Sequence, residues 1–570
     1  MSRNISKEKR EKLLAKINEL RNYLRNTNDS IEMIAYLTEL EKELKRQKFG
    51  LVFEEHKEEI DEKLETHTPV LKEDKDLFIN NGGQVNFLIE GDNLAALDLL
   101  NRTHKGKIDV IYIDPPYNTG SSTWVYNNNI IDSNDQFRHS KWLSFMKSRL
   151  ELAKNLLSEN GIICVTIDDY EIYTLGLLLD SIFGEENKAA IITVENNPRG
   201  RTANRFYATS HEYYLVYAKN IRFAQAHNLP LTEKQKAEFR FNDEISPYRI
   251  KPLRKSGADS RRKDRPKQFY PIYVNPTTLK GSLEKQDDYE KVLPIDDTGS
   301  ERVWVIGIDK CQEYLQDGTI IITMRSTGKF SLSFKDRIKI GRKLRTVWVD
   351  PRYDTSSHGA TLLLKMFGDK VFDYPKSLWA VHDYIYTAIG NKQNATILDF
   401  FAGSGTTGHA VLELNKLDKG NRKFILCTNN ENAICRDVTY ERLKTIITGK
   451  RKDGSEYGES IKTSLKYQKI EFLHTAEQTY YDYANELLKH IKELVELENA
   501  INFDGNTELE ILLTEDEVEK FFKKTMKLSQ VKIIYLGHDI SLDLIQQKTL
   551  QNNNIVVNII PEYYYKEKQV

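Results

Sequence analysis

Apolar positions recur at helical spacing in two N-terminal stretches. Leu13, Leu14, Ile17, Leu20 and Leu24 form one stripe, and Ile31, Ile34, Leu37, Leu40 and Leu44 form a second. Between them Asn26-Thr27-Asn28-Asp29-Ser30 supplies turn and N-cap residues. The pattern predicts a helical hairpin within 1–65, either packed on its own protein or acting as a partner-binding arm. From about residue 85 the rhythm changes. Short apolar runs at Phe87–Ile89, Asp109–Ile113 and Gly161–Ile167 alternate with helical stretches such as Trp142–Leu157. The same rhythm returns at 394–445, with Ala395–Asp399 and Phe424–Thr428 as strands. Strand alternating with helix predicts a parallel sheet in an α/β domain carried by two segments, 66–220 and 351–450.

The stretch 221–350 breaks this pattern. It holds turn clusters, short β-like runs such as Val303–Ile306, and concentrations of Lys and Arg. Nine basic residues, Arg261, Arg262 and Lys263 among them, fall within 249–270, and a second cluster runs from Lys335 to Arg345. We read an inserted domain with a basic face. The extension 451–570 begins as a charged linker, continues as a helix near 479–502, and ends in a small strand–helix–strand unit. Leu487, Leu488, Ile491, Leu494 and Leu497 on that helix suit a dimer seam or an internal core seam equally.

Charge and cysteine content narrow the class. With 83 Lys plus Arg against 84 Asp plus Glu, the 570-residue chain has a formal net charge of −1, which excludes a wholly basic chromatin-type protein but not a local basic face. No apolar run approaches the roughly 18 residues of a membrane span. The start, MSRNISKEKREKLL, lacks the apolar core of a signal peptide. Four cysteines show neither CxxC pairing nor zinc spacing. A reducing cytoplasm is expected, without a membrane, a metal or a disulfide framework.

Two motifs carry chemistry. Asp399-Phe400-Phe401-Ala402-Gly403-Ser404-Gly405-Thr406-Thr407-Gly408 follows a strand and precedes a helix. Its glycines fit G-x-G-x-x-G, where backbone approaches a nucleotide-like ligand closely and a helix N-terminus faces an anion. A nicotinamide or flavin enzyme, or a structural turn, shows the same loop. The next strand ends in Thr428-Asn429-Asn430-Glu431, about where an acid grips ribose hydroxyls. The second motif, Asp114-Pro115-Pro116-Tyr117-Asn118, closes the strand Asp109–Ile113. Two prolines stiffen the turn and remove two N–H donors. The Asp114 carboxylate and Pro115 carbonyl then offer acceptors to an exocyclic amino group, with Tyr117 as a flat face beside them. A rigid turn whose Asp caps the next helix is the plain alternative.

Together these motifs resemble the amino-group DNA methyltransferases that use S-adenosylmethionine. Asp-Pro-Pro-Tyr is typical of members acting on adenine N6 and less so of those acting on cytosine N4. The catalytic motif precedes the cofactor loop with the basic insert between, as in the β-class permutation. Further matching stretches are Ile89–Leu94, Asp114–Gly120, Gly161–Asp169, His211–Lys219 and Tyr374–Ser377. With the length and the tail, the chain resembles the modification subunit of type III restriction–modification systems.

The resemblance implies one doubly wound, Rossmann-like sheet in which Asp114 and Gly403 end adjacent strands. It implies a cofactor lying over Gly403 and Gly405, with Asp399 and Phe401 beside it and Glu431 on the ribose. Asp92 corresponds to the family residue that binds the cofactor's adenine amino group, with helix capping as its alternative role. Thr406 and Lys376 are candidates for the methionine carboxylate. The target base is flipped out of a double-stranded DNA substrate and stacked on Tyr117. The insert becomes the target-recognition domain, with Arg261, Arg262 and Lys263 as candidate phosphate contacts and a solvated basic face as the alternative. The resemblance implies a homodimer, as in similar proteins, and a separate ATP-dependent restriction subunit, since no Walker A motif is present. His211-Glu212 lacks the HExxH pattern of a metal site and is read as strand, with Asn196–Tyr207 as a lid. Rival readings are a free-standing methyltransferase, an RNA methyltransferase, a nicotinamide-dependent oxidoreductase and a catalytically idle DNA-binding protein.

Overall fold

Ten strands, numbered along the chain, make the central sheet: β1 His67–Glu73, β2 Gln84–Glu90, β3 Ile108–Ile113, β4 Leu157–Ile167, β5 Lys188–Glu195, β6 His211–Ala218, β7 Val347–Trp348, β8 Thr396–Asp399, β9 Lys423–Thr428 and β10 Thr463–His474. In this computed structural model, which describes residues 5–25, 31–45, 58–119, 138–200, 206–474 and 487–564, their order is β1-β10-β2-β9-β8-β3-β4-β6-β5-β7. From β10 to β4 all neighbours are parallel. Strand β6 runs antiparallel between β4 and β5. The parallel strands read as near-continuous apolar runs because helices cover both faces. Val110, Ile111, Tyr112 and Ile113 of β3 are all buried.

The winding reverses between β8 and β3. The helix Thr406–Asp418 carries the chain from β8 to its neighbour β9, while Arg138–Leu156 carries it from β3 to its other neighbour β4. The two diverging crossovers leave a crevice at the carboxyl ends of β8 and β3, where such sheets bind ligands. Asp114 follows β3 and the glycine loop follows β8, paired through Ile397 with Val110 and Leu398 with Ile111. The expected interleaving of the two chain segments in one α/β sheet is what is seen.

Strands β1 and β10 are not expected from the sequence pattern, in which 451 onward reads as a charged linker. In β10, Lys466 is fully buried between Glu73 of β1 at 3.0 Å and Glu496 at 2.5 Å. A charged run therefore forms an interior strand. Removing one partner of such a cluster strands a charge, at a cost of about 3–5 kcal/mol. Glu496 lies on the helix Ile491–Asn499, whose Ile491, Leu494 and Leu497 are buried in the core of the sheet. Leu487 packs with Val70. The leucine seam is thus an internal one, and these side chains are spent within the chain. The remainder of the helix expected near 479–502 lies in part outside the described residues.

The extension ends in a small parallel sheet of Leu509–Leu512, Ile533–Leu536 and Val556–Ile559. The helices Glu515–Phe522 and Leu544–Asn552 begin there in capping boxes set by Thr514 and Asp543. At the other end the helices Ile5–Arg25 and Ile31–Lys45 are joined by the Arg21–Glu41 ion pair at 2.5 Å. The turn Asn26–Ser30 lies outside the described residues.

The chain divides into two compact units, 1–227 with 345–570, and 228–344. The second has a four-stranded antiparallel sheet of Ile320–Met324, Phe330–Arg337, Pro247–Pro252 and Phe241–Asn242. Leu253, Ile272, Trp304 and Leu332 form its core, with the Trp304 indole N–H bonded to the Tyr270 carbonyl at 2.8 Å.

Candidate active site

The turn after β3 is fixed from several directions. The Pro116 carbonyl accepts the Trp142 indole N–H at 2.7 Å. Asn118 adopts a left-handed φ of 55°, a conformation Asn tolerates better than most residues, and its amide donates to the buried Glu171 at 2.5 Å. The backbone is thereby turned so that Asp114 and Tyr117 converge with residues far away in sequence.

That convergence is an ion cluster. Lys376 Nζ lies 2.9 Å from Asp114 Oδ1 and 2.5 Å from Glu212 Oε2, and also bonds the Tyr117 hydroxyl. The Tyr117 O–H donates to Glu212 at 3.0 Å, and the Thr166 hydroxyl donates to Asp114 Oδ1 at 2.5 Å. Burial alone would push the Lys376 ammonium down, but the carboxylates of Asp114 and Glu212 outweigh it and raise it. Three donors on Lys376 therefore meet two carboxylates and a phenol. Asp114 remains the open member, with 29% of its side chain exposed against 3% for Glu212.

The sequence suggests Lys376 for the methionine carboxylate; the structure places it on Asp114. Glu212 and Thr166 lie in stretches that match the family, but the sequence assigns neither a role in the site. Glu212 and Tyr214 alternate along β6, so Glu212 points to the buried face, and an acid on the buried face of a strand is the signal that could have found it. Asp168 accepts the Tyr170 N–H at 3.0 Å, a loop role, and Asp169 accepts the Tyr213 O–H. The lid stretch 196–207 includes 201–205, outside the described residues, while Phe206 and Tyr207 beside them are exposed.

The loop after β8 is held differently. Asp399 accepts the Phe401 N–H at 2.9 Å on one oxygen and the Thr407 hydroxyl at 2.5 Å on the other. Burial pushes its carboxyl up to about 7 against those bonds. Phe401 is buried, with its ring against Phe400 and Phe145. Both residues thus build the loop from beneath. Gly403 has a φ of +48° and an added Cβ would stand 3.3 Å from the Phe372 ring; Gly405 has a φ of +77° and would meet Thr439 at 3.1 Å. Thr406 opens the helix directly after Gly405.

Asp92 caps the helix Asn93–Thr103, accepting the Leu94 N–H at 2.7 Å on Oδ1. Its other oxygen lies 3.8 Å from Arg149, which is fully buried and salt-bridged to Glu58 at 2.7 Å. The capping role is realised, and 36% of the Asp92 side chain stays exposed for a ligand. Glu431 follows β9.

Asp92, Glu431, the glycine loop and Asp114 thus follow β2, β9, β8 and β3, four consecutive parallel strands. At about 4.8 Å per strand this row spans roughly 14 Å. The Asp92 carboxylate, the Glu431 carboxylate, a loop carrying Gly403 and Gly405, and the Asp114 cluster stand in that order, an arrangement with room and acceptors to suit an adenine, a ribose, an amino-acid moiety and a target amino group.

In the second unit Arg261, Arg262 and Lys263 are exposed. Arg262 pairs with Glu301 at 3.0 Å and lies over Phe269. The other basic cluster is partly neutralised, with Lys335 and Arg337 on Asp243 and Arg249 and Lys251 on Asp336.

A family model for N6/N4 methyltransferases, described as DNA methylase, matches residues 108–439, more than half of the chain. The chain belongs to the DNA methylase family. One curated relative of this methylase is the type II methyltransferase M.KpnI of Klebsiella pneumoniae, 38% identical over 393 residues, which cover 67% of this chain and 90% of that protein. Another is the EcoPI Mod subunit, a type III restriction–modification enzyme of Escherichia phage P1, 34% identical over 384 residues. That match covers 62% of this chain and 58% of the relative, so the methylase spans under two thirds of the Mod subunit's length. The solved PvuII DNA methyltransferase, cytosine-N4-specific, aligns with 64% of this chain and 92% of its own at 10% identity, with a TM-score of 0.32. The family's chemistry is methylation of DNA, and its model joins the N6 and the N4 enzymes. No helix among the described residues is long and apolar enough to cross a membrane.

Proposed function

We propose that this methylase is the modification subunit of a type III restriction–modification system, and that the cluster at Asp114 prepares the amino group of a flipped-out adenine for methylation. The observation that carries the chemistry is the placement of Asp114, fixed by Lys376 and Thr166, at the strand end beside the glycine loop. Bound S-adenosylmethionine supplies an activated methyl group, so the N–C bond forms as the S–C bond breaks and the protein mostly aligns the partners.

Adenine's amino nitrogen is a poor nucleophile because its lone pair is delocalised into the ring. Thr166 and Lys376 both engage Asp114 Oδ1, which turns Oδ2 to the incoming N–H. With the Pro115 carbonyl, whose neighbour Pro116 is occupied by Trp142, it accepts the two amino hydrogens. The lone pair is then directed at the methyl carbon. The surplus proton of the methylated amine leaves to solvent past the exposed edge of Asp114. Tyr117 is tied by its hydroxyl to Glu212 and has Lys376 Nζ 4.6 Å from its ring centroid, and the base stacks on the face opposite that ammonium.

The cofactor is held by Asp92 at the adenine amino group, Glu431 at the ribose, and the glycine loop beneath the methionine. The unit 228–344 serves as the target-recognition domain, with Arg261, Arg262 and Lys263 on phosphates. We propose a homodimer and a separate restriction subunit as partners. Several Mod subunits among the relatives support the type III role. A free-standing methyltransferase is the second reading, favoured by the match to 90% of M.KpnI.

Long-read sequencing of DNA from a methylation-free host expressing the chain tests the reading, beside an Asp114→Ala control. Methyladenine in one recurring motif, absent from the control, is expected; methylcytosine would overturn the choice of base. Recovery of the tagged chain from its native cells with an ATP-hydrolysing partner supports the type III role. Recovery without one supports the second reading.

A further inference from the structure

Among the described residues three arginines are fully buried: Arg149, Arg422 and Arg442. Two of them have carboxylate partners, Glu58 for Arg149 and Asp418 for Arg422. Arg442, from the helix Glu441–Thr448, is different. Its Nη1 donates to the Thr406 hydroxyl at 2.9 Å, the Ser404 hydroxyl at 3.1 Å and the Ser404 carbonyl at 3.2 Å. Its other nitrogens face His409 Nδ1 at 3.2 and 3.4 Å. Among the described residues no carboxylate lies within ion-pair distance of it. His409 is itself uncharged at pH 7, burial pushing its imidazole down to about 4, and Glu413 reaches only its far side, 3.6 Å from Nε2.

A buried cation with no directly paired anion is unfavourable, and here burial lowers the guanidinium to about 9. The charge sits directly behind the glycine loop, at the start of a 13-residue helix whose N-terminus adds positive potential. Hydrogen-bond logic gives it a direction. The Thr406 and Ser404 hydroxyl oxygens both accept from Arg442 and lie 3.3 Å apart. One can donate to the other; the remaining hydroxyl hydrogen must point away from the guanidinium. The loop therefore presents a donor backed by an unneutralised charge.

We infer that Arg442 is a positioning residue for the carboxylate of the amino-acid moiety of the cofactor, acting through Ser404 and Thr406. The inference rests on the cofactor placement proposed above. It also fills a gap, because Lys376, the cation that the sequence suggests for this carboxylate, has its donors on Asp114, Glu212 and Tyr117. Arg442 never touches the ligand. It polarises the hydroxyls that do and supplies the long-range charge, so the protein distinguishes a ligand that bears the carboxylate from one that lacks it.

The test is calorimetric binding of S-adenosylhomocysteine and of its decarboxylated form to the full chain. The wild type is expected to favour the carboxylate-bearing ligand. Arg442→Met should weaken S-adenosylhomocysteine about tenfold and leave the decarboxylated ligand unchanged, while Arg442→Lys restores part of the ratio. Thr406→Val, which removes the hydroxyl and keeps the guanidinium, should show the same selective loss and covers the case in which Arg442→Met does not fold. Equal weakening of both ligands would show a purely structural role and overturn the proposal. Wild-type binding of neither ligand would overturn the cofactor placement itself, a result distinct from binding without discrimination.

Discussion

In the loop after β8 the carboxylate is bonded locally, Asp399 to Phe401 two residues on and to Thr407 eight residues on, while Thr439 and Arg442 brace Gly403 and Ser404 from behind. The loop after β3 is completed from elsewhere: Asp114 meets Thr166 from β4, Tyr117 meets Glu212 from β6, and Lys376 arrives from beyond the second unit. The two loops end adjacent strands, yet the carboxylate of one is fixed within its own segment and the carboxylate of the other is fixed across the fold. A cofactor loop has to present backbone, and a short glycine-rich segment sets most of that backbone through its own side chains. A site that directs a lone pair has to fix a carboxylate in three dimensions, and that takes donors from several elements.

The sharpest way to break this contrast is to remove the acceptor. Asp114→Ala should lower methyl transfer by roughly 10²–10⁴-fold, measured in single turnover, with S-adenosylhomocysteine affinity kept within a factor of about three. Loss of binding instead would mean that the two loops are not separate devices. Next comes Glu212→Gln. It removes one of the two carboxylates facing Lys376 and should lower kcat by about 10–100-fold with KM for S-adenosylmethionine little changed. An unchanged kcat would detach Glu212 from the cluster.

The locally bonded Asp399 predicts a pH effect on stability rather than on rate. The folded state binds the Asp399 proton more tightly than the unfolded chain does, since burial raises that carboxyl to about 7 from 3.8. Its contribution is therefore present at low pH and is lost as pH rises from about 4 through 7. Asp399→Asn keeps the shape and removes the titration. The fall in Tm between pH 5 and pH 7.5 should be smaller in the variant than in the wild type; equal falls would contradict the buried-carboxyl account.

The smallest effect concerns the second unit. Replacing Arg261, Arg262 and Lys263 by Ala should weaken binding to all DNA sequences alike and reduce the salt slope by about 0.9 for each phosphate no longer neutralised. Arg262, already paired with Glu301, should contribute least. A change of recognition sequence without a change of slope would make these residues base readers.

The same contrast explains what can be read from the chain. The glycine loop, the strands flanking it and the Asp114–Asn118 turn are contiguous, and their periodicity and turn chemistry are visible in a line of residues. Lys376 and Glu212 are 164 positions apart and acquire meaning only when β6 and the segment before the helix Leu378–Ile389 meet. Strand β10 escapes the sequence for a related reason: Lys466 and Gln468 look solvent-exposed until Glu73 and Glu496 are brought to Lys466 by the rest of the fold. The leucine seam of the C-terminal helix is legible as a seam, but which surface it meets is a property of the packed molecule.

The most direct test of the central claim is nucleoside mass spectrometry after purified protein is incubated with unmethylated genomic DNA and isotopically labelled S-adenosylmethionine. Labelled N6-methyladenine is expected with the wild type, a reduced yield with Glu212→Gln and at most about a hundredth of the wild-type yield with Asp114→Ala. Undiminished methyladenine from Asp114→Ala would contradict the claim.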